Sequence, residues 1–281
     1  MEKNNFTAIA NSYSRFKIKK ITMNKPHNDK DKPKETNIFY KTADFRIRAN
    51  EIDRNGKVAF PNIVNYFQET AWLHVIDLDL TGEGLLQYDL MWVLNRMKIE
   101  VFDYPKLHET VTVKTFPSGF DKFFFYRDLY LYNGENEVIA QATSTSLLVD
   151  VNTRKLATVP DFLKAKVQEI DIEIPPLPIA KGKIKPIRAA DFQSKTTAKW
   201  FDLDTNNHVN HIRYFKWILE NLPNIVHEKQ QIKSIDIIMK SEATLNDVLT
   251  IQAIDNQDDT YTHQILNEAE KVVVQAISVF E

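Results

Sequence analysis

The sequence predicts an α+β chain made of two tandem repeats, each an antiparallel sheet wrapped around a helix. Three observations predict it. An amphipathic helical pattern over residues 61–80 precedes several strand patterns up to residue 150. The same succession, helix and then strands, returns between about residue 195 and the C-terminus. A proline-rich stretch separates the two. Tail, first repeat, linker and second repeat are assigned to residues 1–38, 39–151, 152–190 and 191–281.

The tail is read as an unstructured extension. Asn24 to Glu35 is polar and charged and buries too little surface to offset its ordering entropy. Ser12 to Lys20 is basic and free of acids, the composition of an organellar transit peptide. In the first repeat, Ile63, Phe67, Ala71 and Val75 recur four apart, and Pro61 suits a first helical turn. Met91 to Val101, Glu109 to Phe116, Lys122 to Tyr132 and Val138 to Asp150 have strand character, with Asn133-Gly134 as a hairpin turn. Pro175, Pro176, Pro178 and Pro186 cannot donate to a ladder, so the linker runs over the surface. A short helix at Asp161 to Gln168 precedes it.

In the second repeat, Lys195 to Phe201 is a short strand. Asn210 to Leu222 is a helix with the stripe Ile212, Phe215, Leu219 and Leu222, stopped by Pro223. Strands follow at Ser234 to Glu242, Asp247 to Asp255, Thr260 to Asn267 and Lys271 to Phe280, with Asn256 to Asp259 as a hairpin loop. Asp53-Arg-Asn55-Gly-Lys57-Val58 overlays Asp204-Thr-Asn206-Asn-His208-Val209. About three inserted residues would then bring Tyr66-Phe67 onto Tyr214-Phe215, and duplication is the economical account.

Bulk properties exclude several classes. A net charge of −2 provides no global field for nucleic acid. The absence of cysteine removes disulfides, thiolate metal sites and a cysteine nucleophile, and fits a reducing compartment. No apolar run reaches the length of a membrane span, and no secretory signal opens the chain. The expected location is the cytoplasm, with the plastid stroma as the alternative if the tail is a transit peptide. There is no Gly-x-Ser-x-Gly elbow, phosphate-binding loop, dinucleotide fingerprint or His-Glu-x-x-His.

The informative segment is Trp200-Phe-Asp-Leu-Asp204-Thr-Asn206-Asn-His208-Val-Asn210. A carboxylate, a carboxamide and an imidazole alternate in a loop that leads into a helix, so all three can be aimed into one pocket. The helix start adds N–H groups and the positive end of its dipole. That combination suits proton transfer beside a carbonyl oxygen that gains charge. The same residues also serve as turn formers, and Asn207 or Asn210 as helix caps. Asp204, His208 and His211 have spacings found in metal sites, but the change from loop to helix separates them and no third histidine lies nearby. No metal and no cofactor is expected.

Leu203-Asp-Thr-Asn-Asn-His-Val-Asn210, with Tyr214 and Trp217-Ile-Leu219, resembles the catalytic loop and helix of the plant and bacterial acyl-acyl carrier protein thioesterases. Phe67-Gln-Glu-Thr-Ala71 and Trp92-Val-Leu-Asn-Arg-Met97 resemble the same family's N-terminal half. The resemblance covers residues 40 to 281. It implies a double hot-dog fold, two repeats of a curved antiparallel sheet around a long helix. It also implies hydrolysis of fatty acyl thioesters on the phosphopantetheine arm of acyl carrier protein. Residue by residue, it implies catalytic roles for Asp204, Asn206, His208 and Glu242. Asp204 and Glu242 would activate a water, or Asp204 would attack directly. Ala243 stands where many plant members carry cysteine, which argues against a thiol mechanism. Lys57 replaces histidine in the first repeat, so that loop should be inactive, and the first repeat should shape an acyl tunnel with Trp72, Met91, Trp92 and Met97 as candidates. Because the carrier is acidic, a basic docking patch is expected, with Arg96 and Arg213 in it. A homodimer is compatible with this reading. Coenzyme A as the thioester carrier and a non-catalytic acyl-binding role are the alternatives.

Overall fold

The computed structural model describes residues 39–168 and 174–281; the tail expected at residues 1–38 lies outside the described residues. The first half contains β1 (Lys41–Arg46), α1 (Phe60–Asp77), α2 (Gly82–Leu86), β2 (Leu90–Val101), β3 (Thr110–Phe120), β4 (Phe124–Tyr132), β5 (Val138–Asp150), β6 (Leu156–Ala157) and α3 (Asp161–Gln168). The second contains β7 (Phe192–Thr197), a 3-10 turn (Trp200–Asp202), α4 (His211–Glu220), α5 (Asn224–Lys229), β8 (Ile232–Met239), β9 (Val248–Asp255), β10 (Thr260–Leu266) and β11 (Val272–Phe280). The strands expected from the sequence form with ends displaced by a few residues. Lys195 to Phe201 differs more: β7 ends at Thr197, and the 3-10 turn takes the residues just before Asp204.

One antiparallel sheet runs through both halves in the order β1-β3-β4-β5-β2-β8-β11-β10-β9-β7. The order mirrors itself about the pairing of β2 with β8. Lys98 and Asp236 face each other at the centre of that pairing, flanked by Met97 opposite Ile237 and Ile99 opposite Ile235. Duplication has therefore produced, within one chain, an interface of twofold type. Continuing this register past Met239 carries the chain towards the start of β2, and the Asn95 amide donates to the Met239 carbonyl at 3.4 Å.

The helices lie on the concave side. Pro61 sits in the first turn of α1, where its missing N–H costs nothing. Ile63, Val64, Phe67, Thr70 and His74 of α1 are buried, as are Tyr214, Phe215, Ile218 and Leu219 of α4. The two helices meet through Phe60 and Phe215, with ring centroids 6.1 Å apart. Val64, Phe67, Ile99, Phe215, Ile237 and Ile265 belong to one hydrophobic core shared by both repeats. A smaller core of Leu78, Leu80, Leu85, Leu148 and Leu163 closes the outer end of the first repeat under α3.

Two local readings change. The β4–β5 hairpin is not a two-residue Asn133-Gly134 turn. Asn133 closes a wider loop with Glu137, and Asn136, at φ 62°, takes the left-handed position. The repeats also align without the three-residue insertion. Each loop leads directly into its helix, so Ile63-Val64 coincide with Tyr214-Phe215. The recurrence of Tyr-Phe at a shifted position is a coincidence of composition.

Phe67→Ala and Phe215→Ala, each removing a fully buried ring, should each lower the unfolding free energy by about 3–5 kcal/mol. Urea titration, with an unchanged slope, checks this.

Candidate active site

The segment Asp204 to Asn210 is a tight loop built on an Asx turn. Asp204 Oδ1 accepts from the backbone N–H of Asn206 at 2.8 Å and of His208 at 3.2 Å. Asp204 N–H donates to His208 O, and Asn207 takes φ 62° at the reversal. Asparagine suits that position because it tolerates the left-handed region better than branched residues. The loop is then sewn to the segment after β8, where His208 bridges to Thr244 and Val209 N–H donates to Ala243 O at 2.8 Å. Asn210 ends the loop as the N-cap of α4, its side chain accepting from Ile212 N–H at 3.1 Å.

This arrangement brings His208 and Glu242 into contact. His208 Nε2 lies 3.2 Å from Glu242 Oε2, with the imidazole largely buried and the carboxylate about one-fifth exposed. Tyr214, in the first turn of α4, holds the floor, its hydroxyl accepting from Ala243 N–H at 3.2 Å. Burial pushes this phenol's pKa up, and the nearby negative charges of Glu242, Asp247 and Asp204 add to the rise. Ala243 follows Glu242 directly, so this bond ties α4 to the segment that carries the carboxylate. Asn206 stands exposed at the loop tip, its backbone N–H spent on Asp204. Of the backbone N–H groups from 209 to 213, four are committed, and among the described residues His211 at the start of α4 is the one without an acceptor. The sequence pattern displayed Tyr214 only as part of a motif. Its bond to Ala243 could not be read without knowing which strand end faces the helix.

The first repeat folds the same loop from different side chains. Asp53 Oδ1 accepts from Asn55 N–H at 2.8 Å and Lys57 N–H at 3.2 Å, Gly56 takes φ 75°, and Lys57 bridges to Lys106. Lys57 and Tyr104 occupy the places of His208 and Glu242. Neither faces an open pocket: Lys57 Nζ donates to Gln231 at 2.7 Å, Tyr104 hydroxyl donates to Ile232 O at 2.7 Å, and Arg54 pairs with Glu228 at 2.9 Å. The first loop is a plug against the second repeat.

The expected tunnel residues are not all together. Met97 is buried in the shared core, and the Trp92 ring packs 5.0 Å from Phe125. Met91, the second residue of β2, departs from the expectation: strand alternation turns it to the face opposite Trp92 and Met97. Among the described residues Trp92 Nε1 is buried with no hydrogen-bond partner. Trp72 departs from the expectation: it is half-exposed on the outer side of α1, where the helical phase turns it away from Phe67 and His74. Beyond Phe125 on the same strand face, buried Arg127 donates to Thr115 Oγ1 at 3.2 Å and lies 3.0 Å from His74 Nδ1. Burial alone lowers its pKa to about 10.

The two cations expected in a docking patch are used inside the chain. Arg96 pairs with Asp236 and donates to the carbonyls of Lys181 and Gly182. Arg213 pairs with Asp202 at 3.4 Å and donates to Phe201 O, bracing the 3-10 turn. Two surface hollows, of about 410 and 270 Å³, border neither Glu242 nor the loop.

Residues 39–167 match the Acyl-ACP thioesterase N-terminal domain and residues 185–281 the Acyl-ACP thioesterase C-terminal domain. The chain belongs to the acyl-ACP thioesterase family. It is 29% identical over 82% of its length to a chloroplastic palmitoyl-acyl carrier protein thioesterase of Gossypium hirsutum, covering 58% of that protein. It is 31% identical over 73% of its length to the protein of that name from Arabidopsis thaliana, covering 52%. The chain therefore spans little more than half the length of these relatives. An acyl-ACP thioesterase structure from Bacteroides thetaiotaomicron superposes with a TM-score of 0.79 at 25% identity, covering 86% of this chain and 98% of that one. The 12:0-ACP thioesterase of Umbellularia californica gives 0.79 at 24% identity, covering 86% and 97%, and shares the fold. The family's double hot-dog architecture is the mirrored sheet described above.

Asp53→Ala should lower stability by about 1 kcal/mol, the usual loss for a capping carboxylate, and leave any thioester hydrolysis unchanged. Asp204→Ala should give a similar shift in melting and lower any hydrolysis by up to about the 10²–10⁴ of a lost acid or base, because the same two bonds there position His208. Parallel melting curves and thiol-release assays check the pair.

Proposed function

We propose that this acyl-ACP thioesterase family member hydrolyses fatty acyl thioesters carried on acyl carrier protein, releasing a free fatty acid. The observation that carries the reading is the 3.2 Å contact between His208 Nε2 and Glu242 Oε2. A carboxylate and an imidazole in contact are the usual means of moving a proton at neutral pH.

In this mechanism a water attacks the thioester carbonyl carbon and gives its proton to Glu242. The oxyanion is held by the Asn206 amide and the His211 N–H, at the positive end of α4. Glu242 passes that proton across the 3.2 Å contact to His208. Collapse breaks the carbon–sulfur bond, and His208 gives the proton to the leaving thiolate, which restores both groups. The products are one carboxylic acid and one free phosphopantetheine thiol. Asp204 acts by positioning, since one of its oxygens is committed to two loop amides. The acyl chain runs into the first repeat past Trp92 and Met97, which share one face of β2. The absence of cysteine supports a reducing compartment, and we place the chain in the cytoplasm. Import of a fluorescent fusion carrying residues 1–38 into plastids would move it to the plastid stroma instead; the plant relatives are named as chloroplastic.

Glu242→Gln and His208→Ala should each lower kcat by about 10²–10⁴ with little change in KM, the range of a lost general base or acid. Asp204→Asn keeps an oxygen for both loop amides and removes only the charge, so its loss should be no more than about tenfold. A loss as large as that of Glu242→Gln would make Asp204 the base or nucleophile. Competition between one acyl group on carrier protein and on coenzyme A tests the carrier; a preference for coenzyme A overturns that part of the reading.

A further inference from the structure

The segment between the repeats is a strap laid across the outer face of the sheet. Leu177 N–H donates to buried Asp128 of β4 at 2.7 Å. Arg96 of β2 holds the carbonyls of Lys181 and Gly182. The Gln264 side chain of β10 brackets Ile187, accepting from its N–H at 3.0 Å and donating to its carbonyl at 3.1 Å. Ile184 and Ile187 are buried against the sheet. Residues 174–190 are thus fixed at points spread over both repeats, a rigid platform in place of a slack tether.

What the platform presents is charge of one sign. Lys181, Lys183, Lys185 and Arg188 are exposed, and residues 174–190 contain no acid. Lys240 at the end of β8 stands near Lys183, and its pKa is lowered by burial and then by that like charge. Among the described residues none of these five cations forms an ion pair. The chain as a whole is slightly acidic, so the patch is local. Lys183 and Lys240 repel each other, and an acidic partner would relieve that repulsion. The position adds to this. Lys240 is two residues from Glu242, about 7 Å along an extended chain, so this member of the patch lies close in sequence to the reacting pair.

We propose that the strap cations Lys181, Lys183 and Lys185, with Lys240, form the docking surface for the acidic face of the carrier protein. The inference rests on the carrier-thioester reading above and relocates the basic patch from Arg96 and Arg213 to residues the chain leaves unpaired. Arg96 contributes indirectly, by holding the strap's backbone in place.

The test uses the full chain and its K181E/K183E/K185E variant, with dodecanoyl thioesters of acyl carrier protein and of N-acetylcysteamine. The variant should lose at least tenfold in kcat/KM on the carrier substrate, through KM, and its rate should lose the wild type's fall with added salt. Turnover of the N-acetylcysteamine thioester and the melting temperature should not move. A wild type that favours the carrier, with a variant that keeps the preference, overturns the proposal alone. Equal losses on both substrates make the strap structural and overturn it too. A wild type that gains nothing from the carrier overturns the underlying reading as well. Anionic vesicles bound by the wild type and not by the variant, with carrier turnover intact, would assign the patch to a membrane surface instead.

Discussion

The pairing of β2 with β8 is the constraint on which the rest depends. It joins two five-strand units into one sheet, with Lys98 opposite Asp236 at its centre. Because the strands are antiparallel, the end of each lies near the start of the other. The segment that follows β8, with Glu242 and Ala243, is therefore delivered to the first repeat's Trp92 end. In the proposed reading the reacting groups come from the second repeat and the acyl chain is received by the first. A single repeat would possess the loop without the wall beside it.

Duplication also explains the asymmetry of the two loops. Both need an aspartate to gather two backbone amides and a residue able to take positive φ, and both have them. The chemistry sits only at the positions the turn leaves open. His208 and Glu242 fill them in one repeat, while Lys57 and Tyr104 fill them in the other and bond across to Gln231 and Ile232. One loop carries the candidate active site and its counterpart fastens the two repeats together. Asp204 is accordingly weak testimony for catalysis by itself, since Asp53 does the same structural task where no histidine follows.

Much of this was legible in the residues. The helix periodicities, the alternating strands, the break by Pro175 to Pro186 and the loop motif each rest on local physics, and local physics survives folding. Other features depend on contacts between distant parts of the chain. Arg96 and Arg213 read as free cations because nothing nearby in sequence announces Asp236 or Asp202 as partners. Trp72 read as a lining residue because a tryptophan on a helix looks apolar from either side, and the phase that exposes it is set by the sheet. Tyr66-Phe67 and Tyr214-Phe215 looked equivalent by composition, but the ungapped entry of each loop into its helix pairs Tyr214 with Ile63. The strap was visible as a linker, yet its attachment by Asp128, Arg96 and Gln264 was not, because those residues lie on three separate strands.

The central claim is that water activated at the His208–Glu242 pair, and no protein side chain, attacks the thioester carbonyl. A single turnover of dodecanoyl carrier protein in ¹⁸O-water, followed by mass spectrometry of the acid and of the peptide containing Asp204, measures it most directly. The account predicts one heavy oxygen in the released acid and an unlabelled Asp204 peptide of unmodified mass. Label in Asp204, or an acyl group trapped on it, would contradict the account.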